Sequence, residues 1–494
     1  MSKFNQTISN LTKNKSGYVA YQMTDKEQLV TAVLTTMFGE PKFYGSTDND
    51  IVKLATEFAK ADPAFLCKLA IYARNEGNLR SVSHVLTSVI AHDARQYTRA
   101  TLRGVVVRPD DITEIMACYK SFYGKPFPNA MKRELGVQVQ KFDEYQIAKY
   151  NGGNKEIKFR DVLRITHPVP MDEQKEALFH KILEDTLEVP YTWETELSAK
   201  GNTKEVWDEL ISSGKVGYMA LLRNLRNIVK SGAVLSPVLV KISDTEQVRR
   251  SKQFPFRFYS AYHKLRNENL MTPEIHHALE TALMTSIANM EKIEGRTLIA
   301  VDISGSMGST ISQKSDVRCC DIAALMGAMA SRICEDATVC YFDYAGRGSS
   351  TKSENGYRIA HYGRYDSVLD ICERNTFAGG GTDLSLPMKF ALQEDQGKNL
   401  KPFDRIIYFS DNECNSSYRG LEKTVQGLAD EYRRLYNPDF WVHGVDLQGY
   451  GTQQFCGKQF NLIAGWSESV LPFINLAEKG IGTLVETIES LKIE

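Results

Sequence analysis

The sequence predicts a two-part chain: short amphipathic helices stacked as a solenoid, followed by a parallel, doubly wound α/β domain. Three observations predict it. From about Thr24 to Met290 apolar residues recur at helical spacing, in segments too short to bury their own stripe alone. From Arg296 onward, apolar strand-type runs alternate with helical segments. The chain has 494 residues and 42% hydrophobic content, enough for more than one core.

In the helical part, Thr24-Asp25-Lys26-Glu27 has the spacing of a capping box ahead of an apolar run through Leu29, Val30, Val33, Leu34 and Met37. The period repeats over 50–60 through Ile51, Leu54, Ala55 and Phe58. Asp62-Pro63 offers an N-cap and a proline at the first helical position, so a helix is expected over 64–75, stopped by Gly77. Further helices are expected over 82–92, 109–122, 159–165, 172–186, 204–212, 218–229, 255–265 and 273–290. Brief turns join most of them, and pairs stacked in the HEAT manner would bury each stripe against the next repeat.

The pattern changes at Gly295. Strands are expected over 296–302, 337–342, 405–410 and 440–445, with a short candidate at Leu462-Ile463. Helices are expected over 317–334, 365–374, 384–392, 421–435 and near 470–477. The modules then run 1–23 (an N-terminal extension), 24–294 (helical) and 295–494 (α/β).

Composition excludes several classes. The N-terminus lacks the apolar core of a signal peptide, and no stretch approaches about 18 consecutive apolar residues. Nine Cys without a CxxC argue against a structural zinc site and for reduced, buried thiols, so a cytoplasmic protein is expected. The net charge of −1 argues against nucleic acid only until it is divided. Residues 1–290 hold 39 basic and 33 acidic residues, and residues 291–494 hold 21 and 28. Within the helical part the excess is blocked: +6 over 60–133, −5 over 134–215 and +8 over 216–266.

Three segments of the α/β part carry chemistry. Asp302-Ile-Ser304-Gly-Ser306 follows the first strand, Gly379-Gly-Gly-Thr382-Asp383 precedes a helix, and Ser410-Asp411 ends a later strand. Open α/β sheets bind ligands outside the carboxyl ends of their strands. Two carboxylates and three hydroxyls meeting there form an all-oxygen set suited to a hard cation such as Mg²⁺. Each motif alone has an ordinary explanation as a cap or turn; their order and placement together point to a metal.

This constellation closely resembles the metal-ion-dependent adhesion site of von Willebrand factor A domains. The resemblance implies that Ser304, Ser306 and Thr382 coordinate through hydroxyls, and that Asp302 and Asp411 act directly or through water. Glu205, Val206 and Trp207, the run Met219 to Leu225, the run Asp161 to Pro168, and Gly380 to Met388 resemble the signatures of the TROVE module and its A domain. The chain therefore resembles the Ro ribonucleoprotein autoantigen family, bacterial members included, over nearly its whole length. The resemblance implies a helical ring closed by the A domain, an outer face for small structured Y RNAs, and a hole for single-stranded 3′ ends of misfolded RNA. It implies a monomer, with an exoribonuclease as a further candidate partner, and it carries Lys149 and His167 to the outer RNA-binding surface. The loop Asn151-Gly-Gly-Asn154 departs from the pattern: it lacks a basic residue shortly after Lys149, for which Lys155 or Lys158 are candidates.

The basic tract 216–266 fits phosphate contacts, so Arg223, Arg226, Arg249, Arg250, Arg257 and Lys264 join Lys149 and His167 as candidate RNA-binding residues, with Arg164 of the run Asp161 to Pro168 beside them. Phe254, Phe256 and Phe258, at helical spacing, are expected in the core. Two other functions compete. One is a protein-adhesion adaptor whose ion takes an acidic side chain of a partner. The other is a metal-dependent hydrolase with Glu413 or Asp383 as base, disfavoured because no nucleophile–His–Asp set or P-loop is present.

Overall fold

The computed structural model describes residues 11–13, 19–35, 49–152, 155–251, 253, 255–288, 290–310, 316–346, 349–363, 366–374, 379–396, 400–415, 423–448, 452–457, 459–464, 470–478 and 484–493. The expected helix starts at 365 and 421, and Lys252, Phe254, Gly153 and Asn154, lie outside them. The chain forms two compact units, Glu40–Gly201 with Val485–Glu494, and Met1–Gly39 with Asn202–Leu484.

The first unit is helical. Pro63–Asn75 packs against Arg80–Asp93 and Thr98–Val105, and Arg80–Asp93 packs in turn on Asn49–Ala61 and Pro109–Tyr123. Asp62 accepts the Phe65 backbone N–H at 3.1 Å, the N-cap expected ahead of Pro63. Leu66, Leu69, Leu86, Ile90, Leu102 and Ile115 are fully buried between these helices. Five further helices follow, Asn129–Gln138, Glu144–Asn151, Phe159–Thr166, Glu173–Glu184 and Trp193–Lys200. Three of these, and Thr98–Val105, were not expected. Trp193–Lys200 buries no residue and Glu144–Asn151 only Ile147, so a hydrophobic period has little to show. Their reciprocal caps, Asp143 with Gln146 and Thr192 with Thr195, define them instead.

The second unit holds helices Lys204–Ser212, Tyr218–Ser231, Ser236–Ser243, Thr245–Ser251, Pro255–Asn267 and Pro273–Ile287, then the α/β fold. Its strands, with two near the N-terminus, are β1 (Leu11–Lys13), β2 (Val19–Gln22), β3 (Ile293–Asp302), β4 (Cys334–Phe342), β5 (Tyr357–Ala360), β6 (Arg405–Ser410), β7 (Trp441–Asp446), β8 (Thr452–Gln453) and β9 (Phe460–Ala464). The main sheet has the order β5-β4-β3-β6-β7-β9. All pairs are parallel except β4–β5, which is antiparallel. That edge corrects the expected all-parallel sheet: Tyr357–Ala360 is four residues long and half exposed, too short to register as a strand.

Two features reach across the expected module boundaries. Strand β2 pairs with β8, so part of the N-terminal extension joins a three-stranded sheet. The helix Asp25–Thr35 lies against β9, in the same unit as the sheet. Its capping box forms as expected, with the Thr24 N–H donating to Glu27 at 2.8 Å and the Glu27 N–H donating to Thr24 Oγ1 at 3.3 Å.

The order of the sheet sets the site. From β3 the chain goes first to β4 on one side and later to β6 on the other, so the crossovers diverge at the carboxyl ends of β3 and β6. Val301 pairs with Phe409, which brings Asp302 beside Ser410.

Candidate metal centre and nucleic-acid interface

Three loops converge at that divergence and are tied in pairs. The Ser410 hydroxyl donates to Asp302 Oδ2 at 2.6 Å, joining the first and third loops. The Gly305 N–H donates to the Gly380 carbonyl at 3.1 Å, and the Gly379 N–H to the Ile303 carbonyl at 3.2 Å, joining the first and second. This approach requires glycine: a Cβ on Gly305 would come 2.9 Å from the Gly380 oxygen, and Gly380 has φ +77° with the Tyr344 ring where a Cβ would stand.

Within this frame the Ser304 N–H donates to Asp302 Oδ1 at 2.9 Å, and Ser304 Oγ lies 3.3 Å from Ser306 Oγ. Asp302, Ser304, Thr382 and Asp411 are buried, while Ser306 is exposed. Burial, and then the charge of Asp411, push the Asp302 carboxyl above its ordinary range, and burial does the same to Asp411. Two neighbouring buried carboxylates with no cationic side chain paired to them among the described residues are costly. Asp411 Oδ2 is buried and accepts no hydrogen bond from the described residues, although the Ser306 hydroxyl lies close enough to the Asp411 carboxyl to lower it. An orphaned carboxylate oxygen beside hydroxyls is what a hard cation would satisfy, so the residues fit the ion. Among the described residues no three of His, Cys, Asp and Glu form a ligand cluster; this oxygen set has only two carboxylates. Of the two candidate bases, Asp383 accepts from the Ser385 N–H and faces Lys389 at 3.3 Å, while buried Glu413 donates its N–H to Asp411 Oδ1 at 3.2 Å and its charge adds to the rise of the Asp411 carboxyl.

Sequence reasoning missed Asn415. Its Oδ1 accepts the Thr382 N–H at 2.6 Å, and its own N–H donates to the Thr382 carbonyl at 3.1 Å, joining the second and third loops. An asparagine four residues after an Asp carries no signal without the fold. Asn415→Ala is expected to weaken Mn²⁺ binding about tenfold, as loss of a group supporting a ligand does. Titration followed by electron paramagnetic resonance reads this; an affinity equal to wild type would refute it.

The candidate RNA residues fall in two groups. In the first unit Lys149, Arg164 and His167 are exposed. His167 is left-handed (φ +45°) and ends the helix Phe159–Thr166. In the second unit Arg223 and Arg250 are exposed and make no ion pair among the described residues. Arg249 pairs with Glu246 at 3.3 Å, and the guanidinium of exposed Arg257 lies 4.6 Å from the Phe256 ring centroid. Arg226 meets Glu268 at 3.1 Å, and Lys264 meets Asp316 of the α/β part at 2.7 Å. Arg266 and Tyr262 both engage Glu373, and His276 reaches Asp370 at 3.1 Å. Some of the basic tract therefore answers acidic residues of the sheet domain. Phe256 and Phe258 are core, as expected.

Comparison with known proteins agrees with this architecture. The TROVE domain model matches residues 11–188 and 185–303, and the Ro60 vWA domain model matches residues 296–437. Telomerase protein component 1 of Rattus norvegicus is 25% identical over 334 residues, covering 49% of this chain and 13% of that protein. RNA-binding protein RO60 of Caenorhabditis elegans is 27% identical over 224 residues, covering 43% of this chain and 32% of that one. The chain thus aligns with a third or less of these relatives' own length. The crystal structure of the Deinococcus radiodurans RO (RSR) protein superposes with a TM-score of 0.62 at 17% identity, covering 92% of this chain and 100% of that one, which establishes a shared fold. Among the described residues no helix is long and apolar enough to cross a membrane. With more than half of its length in the TROVE match and a Ro60-type A domain after it, the chain belongs to the Ro family of TROVE proteins.

Proposed function

We propose that this chain is a non-catalytic RNA-binding protein of ribonucleoprotein type. Its helical module, 24–294, closes into a ring with the A domain, 295–494. The outer face takes a small structured Y-type RNA, and the central hole takes single-stranded 3′ ends of misfolded RNA. A monomer in the cytoplasm, working beside an exoribonuclease, is part of the same reading. The observation that carries it is the TROVE match together with solvent-facing arginines on the helices of that match, Arg223, Arg250 and Arg257. Arginines held outward on a folded surface are suited to phosphate.

The test is RNA binding against salt concentration, using a synthetic stem-loop RNA with a single-stranded 3′ tail. The triple variant Arg223→Gln, Arg250→Gln, Arg257→Gln is expected to weaken binding and to flatten log K against log salt by about 2 to 3, one phosphate per arginine. An unchanged slope would sink the assignment of these residues.

We assign Mg²⁺ to the oxygen set of Asp302, Ser304, Ser306, Thr382 and Asp411. The ion would bridge the three loops and offer a position to an oxygen ligand. Exposure of Ser306 at this otherwise buried cluster favours a second reading, an adaptor that takes a partner's acidic side chain on the ion. Under that reading Asp302→Ala abolishes the main interaction; under the first it leaves RNA binding nearly intact.

A further inference from the structure

The loop 151–154 after Lys149 holds no basic residue, and the lysine that follows it, Lys155, is turned inward. Lys155 turns back, its Nζ donating to the Tyr150 carbonyl at 2.6 Å, and is half-buried. Lys158 stands at the start of the helix Phe159–Thr166, where its N–H donates to Asp161 at 3.0 Å. A second cation reaches the Tyr150 ring from another part of the chain. Arg108 precedes Pro109–Tyr123, and its guanidinium carbon lies 4.7 Å from the Tyr150 ring centroid. Lys149 Nζ lies 5.7 Å from the same centroid. One tyrosine thus carries a guanidinium and an ammonium, both within cation–π range.

The surroundings leave this pair in positive excess. Asp110 and Asp111 are the nearby buried carboxylates. Arg74 and Arg80 already engage Asp111, at 2.9 and 2.7 Å, and Arg80 also engages Asp110 at 2.6 Å. Arg108 reaches Asp110 only at 3.2 Å, through one Nη, with its side chain 44% exposed. Lys149 is exposed and makes no ion pair among the described residues. With Lys155 included, five cations stand against these two carboxylates and Glu114, which lies within electrostatic reach of Arg80 and Lys155.

We propose that Arg108, Lys149 and Tyr150 form a composite phosphodiester-binding site on the RNA-binding surface. The inference rests on the RNA reading above. Stacking on Tyr150 fixes the plane of the Arg108 guanidinium, so less freedom is lost when its outward N–H groups bind a phosphate. Lys149 adds a point charge on the same phosphate. This chain thereby supplies from residue 108 what the loop after Lys149 lacks.

The test uses the full chain and the same stem-loop RNA with a 3′ tail, titrated over a range of KCl. Arg108→Gln is expected to weaken binding about five- to tenfold and to lower the salt slope by about 1. Arg108→Lys should restore the slope but only part of the affinity, because the planar fork is gone. Lys149→Gln, an exposed change that does not threaten folding, should lower the slope similarly, and the double variant should lose less than the sum if one phosphate is shared. Wild-type affinity and slope in Arg108→Gln, or full additivity in the double variant, would overturn the composite site while leaving the RNA reading intact. Absence of RNA binding by the wild-type chain would overturn both.

Discussion

Asp111→Ala is expected to destabilise the helical unit of residues 40–201 by about 3–5 kcal/mol, the cost of leaving buried charges without their partner. Asp111 is fully buried on the helix Pro109–Tyr123. Its two oxygens accept from Arg74 Nη2 at 2.9 Å, Arg80 Nε at 2.7 Å and His84 Nε2 at 3.0 Å. The N–H groups of Val107 and Arg108 donate to it at 3.0 and 2.8 Å. Arg74 belongs to Pro63–Asn75, and Arg80 and His84 to Arg80–Asp93, so one carboxylate closes three helices. Removing it strands the buried Arg74 guanidinium, and it leaves the half-buried Arg80 with Asp110 at 2.6 Å. Hydrogen exchange of amides in 63–123 should report the loss. Protection equal to wild type would show that the network is dispensable.

The same network has a pH signature. Burial alone would raise the Asp111 carboxyl, but the His84 hydrogen bond and the charges around it outweigh burial and hold it far below the usual carboxylate range. Burial lowers His84 despite its bond to Asp111, so the imidazole is neutral near pH 7; its N–H still donates to Asp111, and the positive charge beside that carboxylate comes from Arg74 and Arg80. Both folded-state values lie below their unfolded ones, so the unfolded chain binds more protons and stability rises with pH through each window. The His84 contribution falls away as pH drops below about 6.5, where the unfolded imidazole takes a proton that the folded one refuses. The Asp111 contribution is full above about pH 4 and is lost only in stronger acid.

These features differ in how far the sequence announces them. The metal loops were legible because each is a local motif, two of them directly after a strand end and the third, Gly379 to Asp383, just before the helix Leu386–Asp395. The capping box of Thr24 and Glu27 and the Asp62-Pro63 helix start were legible for the same local reason. The Asp111 network was not, because its members lie on three helices and nothing in Arg74, Arg80 or His84 marks a shared partner. Asn415 was hidden likewise, since its role exists only once the second and third loops are neighbours. Charge was half legible. Division at residue 290 exposed opposed blocks, and the acidic excess of the sheet domain was left almost wholly unassigned. The fold gives part of it a use: Asp316 and Glu373 meet Lys264 and Arg266 of the basic tract, and Asp370 meets His276 on the next helix. Glu280 reverses the pattern, accepting the N–H groups of Val368 at 2.8 Å and Leu369 at 3.1 Å at the start of the helix Val368–Arg374.

Asp302→Asn is expected to abolish the response to divalent cations while leaving the fold intact, and in the ion-free protein to raise stability. The substitution keeps the shape of the side chain. Its amide oxygen can still accept the Ser304 N–H, and the Ser410 hydroxyl, which donates in the wild type, can turn to accept from the new amide nitrogen. What disappears is one of two buried carboxylates whose charges oppose each other. Without an ion, that repulsion and the burial of both groups count against the folded wild type, so the variant should gain about 1 kcal/mol or more. With an ion the order reverses. At a Mg²⁺ concentration about a hundredfold above its dissociation constant, the wild type gains about 2.7 kcal/mol by linkage, and the variant should gain almost none. Mn²⁺ affinity should fall about a hundredfold or more, well beyond the tenfold expected for Asn415→Ala, because a charged ligand is lost rather than the group that steadies one. Denaturant unfolding with and without MgCl₂ separates the two effects. Equal stabilisation of wild type and Asp302→Asn by Mg²⁺ would remove the ion from this site, whatever either protein does with RNA.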